Sequence, residues 1–182
     1  MKVALLVSRN KDNKNVKNFK PRSQSFVYDE TKEKTLDARF SAFVNAGIEG
    51  ETARMYVSVN RRDEEKVKKA LICTLVMQDV NLCNIESKTA SIAERAENAE
   101  EKKWLFDFDE SNEEKVKAFA EEIKTYGVEV EIYKTKNAFA VVTSRGFDTR
   151  ELMERWKDTD VTLKRDAMLY IKCETKKSID NQ

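Results

Sequence analysis

The sequence predicts an α+β fold. Two patterns carry that prediction: from residue 54 onward strand-like alternation and helix-like spacing take turns, and two strand patterns flank a tight turn at Thr135-Lys136-Asn137. Composition agrees, since 37% of the 182 residues are charged and 40% hydrophobic, with one proline and four glycines. That is a helix-rich globular make-up rather than a disordered or fibrous one. A chain of this length suits one domain, or one domain with an ordered extension, and can bury a core.

The elements follow in order. Residues 1–8 suit a strand whose apolar run is too short for a signal peptide or a membrane span, so a cytoplasmic location is expected. A polar basic segment follows to Arg22, and Ser25 to Tyr28 suits a second short strand. Thr35 to Ala46 reads as a helix, with Leu36, Phe40, Phe43 and Val44 on one face and Gly47 at its end. Residues 1–50 are read together as an N-terminal extension.

Arg54 to Asn60 alternates as a strand, and Asp63 caps a helix to about Met77 with Val67, Ala70, Leu71, Thr74 and Leu75 along its inner stripe. Ser87 to Ala99 suggests a polar helix, an arm or an insertion. Trp104 to Asp109 is a strand, and Ser111-Asn112 opens a helix carrying Val116, Phe119, Ala120 and Ile123 on one side. Val128 to Tyr133 and Ala138 to Thr143 form the hairpin. Asp148 caps a helix to about Trp156, and 161–163 and 167–172 supply two more short strands. Crossovers alternating with a hairpin fit a ferredoxin-like or RRM-like antiparallel sheet over residues 54–172, with helices mainly on one face and a polar tail over 173–182.

Composition also removes chemistries. The chain has no histidine, which excludes His-based zinc sites, Ser-His-Asp and Cys-His nucleophiles and a His general base. A metal site would use carboxylates, favouring Mg²⁺, Mn²⁺ or Ca²⁺. Cys73, Cys83 and Cys173 form no CxxC pair and read as reduced thiols. Net charge is +1, so no global field announces a nucleic-acid binder. Locally, Arg9, Lys11, Lys14, Lys17, Lys20 and Arg22 face Asp12 alone. Lys11, Lys14, Lys17, Lys20 and Arg22 suit a phosphate-contacting arm, and they equally suit a solvated polar loop.

Four places could carry chemistry. Asp107 and Asp109 are two apart on a strand, so they share a face, and their mutual repulsion calls for a positive partner such as a divalent ion. The same residues also suit a strand exit that caps the next helix. Arg145 and Gly146 follow a strand ending in Thr143-Ser144 and could present a guanidinium and backbone N–H groups to a phosphate, or simply turn the chain. Arg61 and Arg62 could bind phosphate or pair with Asp63 and Glu64. Asp166, in Lys164-Arg165-Asp166, could add a third carboxylate or sit in a β-turn. Trp104, Phe106 and Phe108 point away from the carboxylates and read as core. Tyr56 and Phe139 read as core more readily than as a base-stacking platform.

Three segments together, Trp104 to Asp109, the hairpin of 134–148, and Leu163 to Tyr170, resemble the palm of archaeo-eukaryotic primase-like proteins, especially small forms encoded by bacteriophages. The resemblance implies an RRM-like palm in which Asp107 and Asp109 match the family's hhDhD strand and bind Mg²⁺ or Mn²⁺. It further implies nucleotide processing by phosphoryl transfer, with Asp166 assisting and Arg61, Arg62 and Arg145 on phosphates. Where the family carries a Gly and a His in the hairpin strand, this chain has Ala138 and Ala140. The alternative expectation is therefore a non-catalytic phage or mobile-element module that binds nucleic acid or a host protein, away from any membrane.

Overall fold

The computed structural model describes residues 1–177 of the chain, and its class is α+β. In chain order the elements are β1 (Lys2–Ser8), β2 (Arg22–Tyr28), α1 (Glu33–Asn45), β3 (Thr52–Ser58), α2 (Glu64–Met77), α3 (Ile85–Ala93), β4 (Trp104–Phe108), α4 (Glu113–Lys124), β5 (Val130–Lys134), β6 (Phe139–Thr143), α5 (Arg150–Arg155), β7 (Val161–Arg165) and β8 (Met168–Thr175). The strands form two four-stranded sheets, ordered β2-β1-β3-β8 and β5-β6-β4-β7. Among the described residues no helix is long and apolar enough to cross a membrane.

The chain divides into two units. The first takes Met1–Val57, Arg62–Asn98 and the chain from Tyr170 onward; the second takes Ser58–Arg61 and Ala99–Leu169.

In the first unit β1 pairs antiparallel with β2, from Lys2 opposite Tyr28 to Ser8 opposite Arg22, and on its other side with β3, Ala4 opposite Val57. Residues 1–50 are therefore no extension to a sheet elsewhere: β1 is a central strand, and β3, expected among the later strands, belongs beside it. The physical reason is the apolar run of β1, whose Val3, Ala4 and Leu6 are fully buried and need cover on both edges and faces. In α1 the expected stripe of Leu36, Phe40, Phe43 and Val44 is buried. Asp63 Oδ1 accepts the Lys66 N–H at 3.1 Å and starts α2 as the sequence suggested. The helix expected over Ser87–Ala99 is shorter and is no polar arm: Ala90, Ile92 and Ala93 are buried, and α3 lies against β1 and β2. Of the tail expected over 173–182, β8 takes residues to Thr175, and 178–182 lie outside the described residues.

The second unit reads β-α-β-β-α-β with every neighbouring pair of strands antiparallel, the ferredoxin-like order. Asn112 Oδ1 accepts the N–H groups of Glu114 and Lys115 at 3.1 and 3.2 Å and starts α4. From there Val116, Phe119, Ala120 and Ile123 recur at helical spacing and all are buried. They meet Phe106 and Phe108 of β4, Val141 of β6 and Leu152 of α5 in one core, so both helices cover the same face. The Phe119 ring packs edge-on to Phe106 at 5.1 Å and Phe108 at 4.9 Å. Each such pair adds about 1 kcal/mol beyond the area it buries.

Candidate functional site

Two of the sets singled out by sequence each form a distinct place, one in each unit. In the second unit β4 is a central strand, flanked by β6 and β7. Its alternation turns Phe106 and Phe108 into the helix-covered core and Asp107 to the opposite face, as expected. The register sets Asp107 opposite Ala140 on β6 and Thr162 on β7. Lys164, the next residue along that face of β7, donates from its ammonium to Asp107 Oδ2. The positive charge beside Asp107 is thus a lysine of this chain. Asp109 lies just past the strand, exposed, with its backbone N–H on the Asp160 carbonyl at 3.1 Å.

The other candidates of this unit sit elsewhere. Arg165 is opposite Trp104, so Asp166 follows at the Trp104 end of β4, while Asp109 follows the Phe108 end. Trp104 and Phe108 are four residue steps, about 13 Å, apart along the strand. Asp166 lies in a bend at φ +62° and accepts from Asn60 Nδ2 at 3.1 Å. An aspartate tolerates that left-handed backbone better than most residues. Asp166 thus sits in a bend after β7, away from the Asp107–Asp109 pair. Among the described residues no three Cys, Asp or Glu side chains gather as a metal-binding group. Two carboxylates, one of them ion-paired to Lys164, do not make a fitted cation site.

Arg145 also lies beyond the Trp104 end, because Thr143 is opposite Trp104. It is exposed and donates to the Gly127 carbonyl at 3.2 Å. Its neighbour Gly146 has a packing reason: a Cβ there would stand 2.5 Å from the Trp104 indole. Arg61 gives its N–H to Glu101 Oε2 at 3.4 Å and takes the Glu100 N–H on its carbonyl at 2.9 Å. Burial would raise the Glu101 carboxyl, but hydrogen bonds from Lys103 and from the Arg61 backbone outweigh it and hold the carboxyl below its ordinary value. Arg62 belongs to the first unit, is 2% exposed, and its backbone exchanges hydrogen bonds with Met1. Such burial keeps its guanidinium from a phosphate in solvent. Tyr56 packs edge-on to Tyr170 at 5.8 Å, and Phe139 packs against the second unit's core.

The second place is the β1–β2 loop of the first unit. Asn13 anchors it: the buried amide donates to Ser8 Oγ at 3.2 Å and to the Arg9 and Thr52 carbonyls at 3.0 Å. Its Oδ1 accepts the Thr52 N–H at 2.6 Å. Asp12 adds a second anchor, receiving Arg9 Nε at 2.8 Å and the Arg54 guanidinium. Burial alone would raise the Asp12 carboxyl, but the hydrogen bonds from Arg54 and Arg9 overcome it and hold it at about 2.

Arg22 leaves the basic set. Its Nε meets Glu51 Oε1 at 2.7 Å, another nitrogen meets the Phe43 carbonyl at 2.6 Å, and the guanidinium lies over the Phe43 ring at 3.9 Å. Lys11, Lys14, Lys17 and Lys20 remain. All are exposed, and none pairs with a carboxylate among the described residues. The loop therefore displays four unneutralised ammonium groups on a backbone fixed at its base.

Sequence reasoning passed over Asn13, Asn60 and Lys164. Asn60 is buried, receives the Lys103 N–H at 2.7 Å and donates to the Lys103 carbonyl at 3.1 Å, beside its bond to Asp166. No local spacing marks Asn13 apart from Asn10, Asn15 and Asn18, and the Lys164 pairing depends on strand register. No protein-family model matches the chain, and no curated protein matches it.

Proposed function

We propose that the chain is a non-catalytic nucleic-acid-binding module of the kind that phages and mobile elements encode, gripping the phosphate backbone with Lys11, Lys14, Lys17 and Lys20. One observation carries this reading. Four exposed lysines without counter-ions share a loop whose base is pinned by Asn13 and Asp12. Like charges held close together repel, and a polyanion relieves that repulsion while releasing its own condensed counterions. Lysine contacts to phosphate carry no base information, so binding is insensitive to sequence.

The test is fluorescence anisotropy with labelled single- and double-stranded oligonucleotides over a salt series. Four phosphate contacts give a slope of log affinity against log salt of about −3. Replacing Lys11, Lys14, Lys17 and Lys20 by Gln flattens that slope to near zero. Absence of any binding at low salt, or binding indifferent to the four substitutions, overturns the reading and leaves a host protein as the partner class.

A second reading, a phosphoryl-transfer palm with Mg²⁺ or Mn²⁺ on Asp107 and Asp109, is supported only by their placement, Asp107 on the central strand β4 and Asp109 just past its end. A cation at Asp107 Oδ2 would displace the Lys164 ammonium. Calorimetric titration with Mn²⁺ separates the readings. The binding-module reading expects no heat of binding in the wild type; binding that vanishes in Asp107→Ala and strengthens in Lys164→Ala would favour the metal-dependent one.

A further inference from the structure

The β1–β3 ladder stops at Val7 opposite Arg54, so Glu51 and Thr52 stand beyond the last residues that β1 pairs with. Two other sets of bonds reach them. From the lysine loop, Asn13 bonds both backbone groups of Thr52, and Arg22, where the loop returns into β2, meets Glu51 Oε1 at 2.7 Å. Both ends of the loop are thus tied to the same two residues.

From the other side come the residues that close β8. Lys176 gives its backbone N–H to the Glu51 carbonyl at 2.9 Å and takes the Gly50 N–H on its own carbonyl at 3.0 Å. The hydroxyls of Thr175 and Thr52 meet at 2.8 Å. The Lys176 ammonium reaches further, donating to the carbonyls of Asn45 and Gly47, both at 2.7 Å. These lie at and just past the end of α1, where a helix leaves carbonyls without intrahelical partners. Arg22 donates to the Phe43 carbonyl of the same turn. The lysine loop, the start of β3, the exit of α1 and the end of β8 therefore meet at one junction. A loop ordered beforehand loses little conformational freedom on binding; one with a loose base loses more and binds more weakly.

We propose that Lys176 is a positioning residue for the lysine loop, holding in place the Glu51–Thr52 seat on which Asn13 and Arg22 rest. Its effect on affinity rests on the nucleic-acid reading; its effect on the order of the loop does not.

Two variants of the full chain test it. Lys176→Met keeps the aliphatic stem and removes the ammonium, and Thr175→Val removes the hydroxyl contact without changing charge. In both, amide hydrogen exchange read by NMR quickens about tenfold or more at Thr52 in the seat and at Asp12, Asn13 and Val16 in the loop, while α4 keeps its protection. Oligonucleotide affinity falls at least threefold in the anisotropy assay with the salt slope unchanged, because Lys11, Lys14, Lys17 and Lys20 all remain. Adding Lys176→Met to Asn13→Ala weakens binding no further, since both release the same seat. Loop exchange that stays at the wild-type rate overturns the proposal, whether or not the chain binds nucleic acid. So does a slope reduced by about one, which makes Lys176 a fifth phosphate contact, or losses that simply add. A wild type that binds no oligonucleotide overturns the nucleic-acid reading alone, and the exchange rates then decide the positioning role.

Discussion

Gly146 is the residue where packing leaves least freedom. Its backbone runs against the Trp104 indole, whose other neighbours are the Phe147 ring at 6.1 Å and the Arg165 guanidinium at 5.0 Å. A methyl group has nowhere to go, so Gly146→Ala lowers unfolding stability by about 1–3 kcal/mol, the usual cost of overpacking, measurable by urea denaturation. Asp12 gives a residue-level pH dependence. Its carboxyl is held at about 2, below its ordinary 3.8, so it releases its proton more readily folded than unfolded. The associated stability, of the order of 2 kcal/mol, is fully present above pH 4 and disappears as pH falls toward 2. Asp12→Asn should flatten that acid limb in a stability-against-pH series. A limb unchanged by the substitution would assign the acid sensitivity to other carboxylates.

Among elements, the β1–β2 loop is anchored by Asn13 together with Asp12. Asn13→Ala removes the acceptor of the Thr52 N–H and one of the two donors to the Thr52 carbonyl, the other being Ser8 Oγ. The expected cost is about 1–3 kcal/mol of stability, since a backbone N–H loses its acceptor. Nucleic-acid affinity should fall as well, although every lysine is intact; an anisotropy titration at fixed salt reads this. α4 was legible in the sequence because its apolar residues recur at helical spacing and nothing competes for them. α2 was only half legible. Its sequence is apolar on more than one side, so the expected stripe of Val67, Ala70, Leu71, Thr74 and Leu75 could not show which side faces the core; Leu75 is 40% exposed. The candidate site was legible as residue types but not as a constellation. Asp107 meets Lys164 across 57 positions, and Asp166 falls at the far end of β4, both consequences of register that no local pattern encodes.

For the whole molecule, the α+β class and the β-α-β-β-α-β order of the second unit followed from periodicity, because that unit's strands and helices are contiguous in sequence. The first unit did not follow, since its sheet is assembled from the beginning of the chain and from β8. This difference predicts unequal responses to one deletion. Removing residues 170–177 uncovers the β3 edge and should strip amide-exchange protection from β1 and β3, while Phe106 and Val141 in the second unit stay protected. Equal loss in both units would show that the two sheets stand or fall together.

The placement of β8 also orders events while the chain is being made. Residues 104–165 leave the ribosome carrying every strand of the second unit's sheet, so that sheet can close on local contacts at once. β1, β2 and β3 emerge earlier yet wait, with the β3 edge open to any passing strand, until Met168–Thr175 arrives. The first sheet begun is thus the last whose strands are all present.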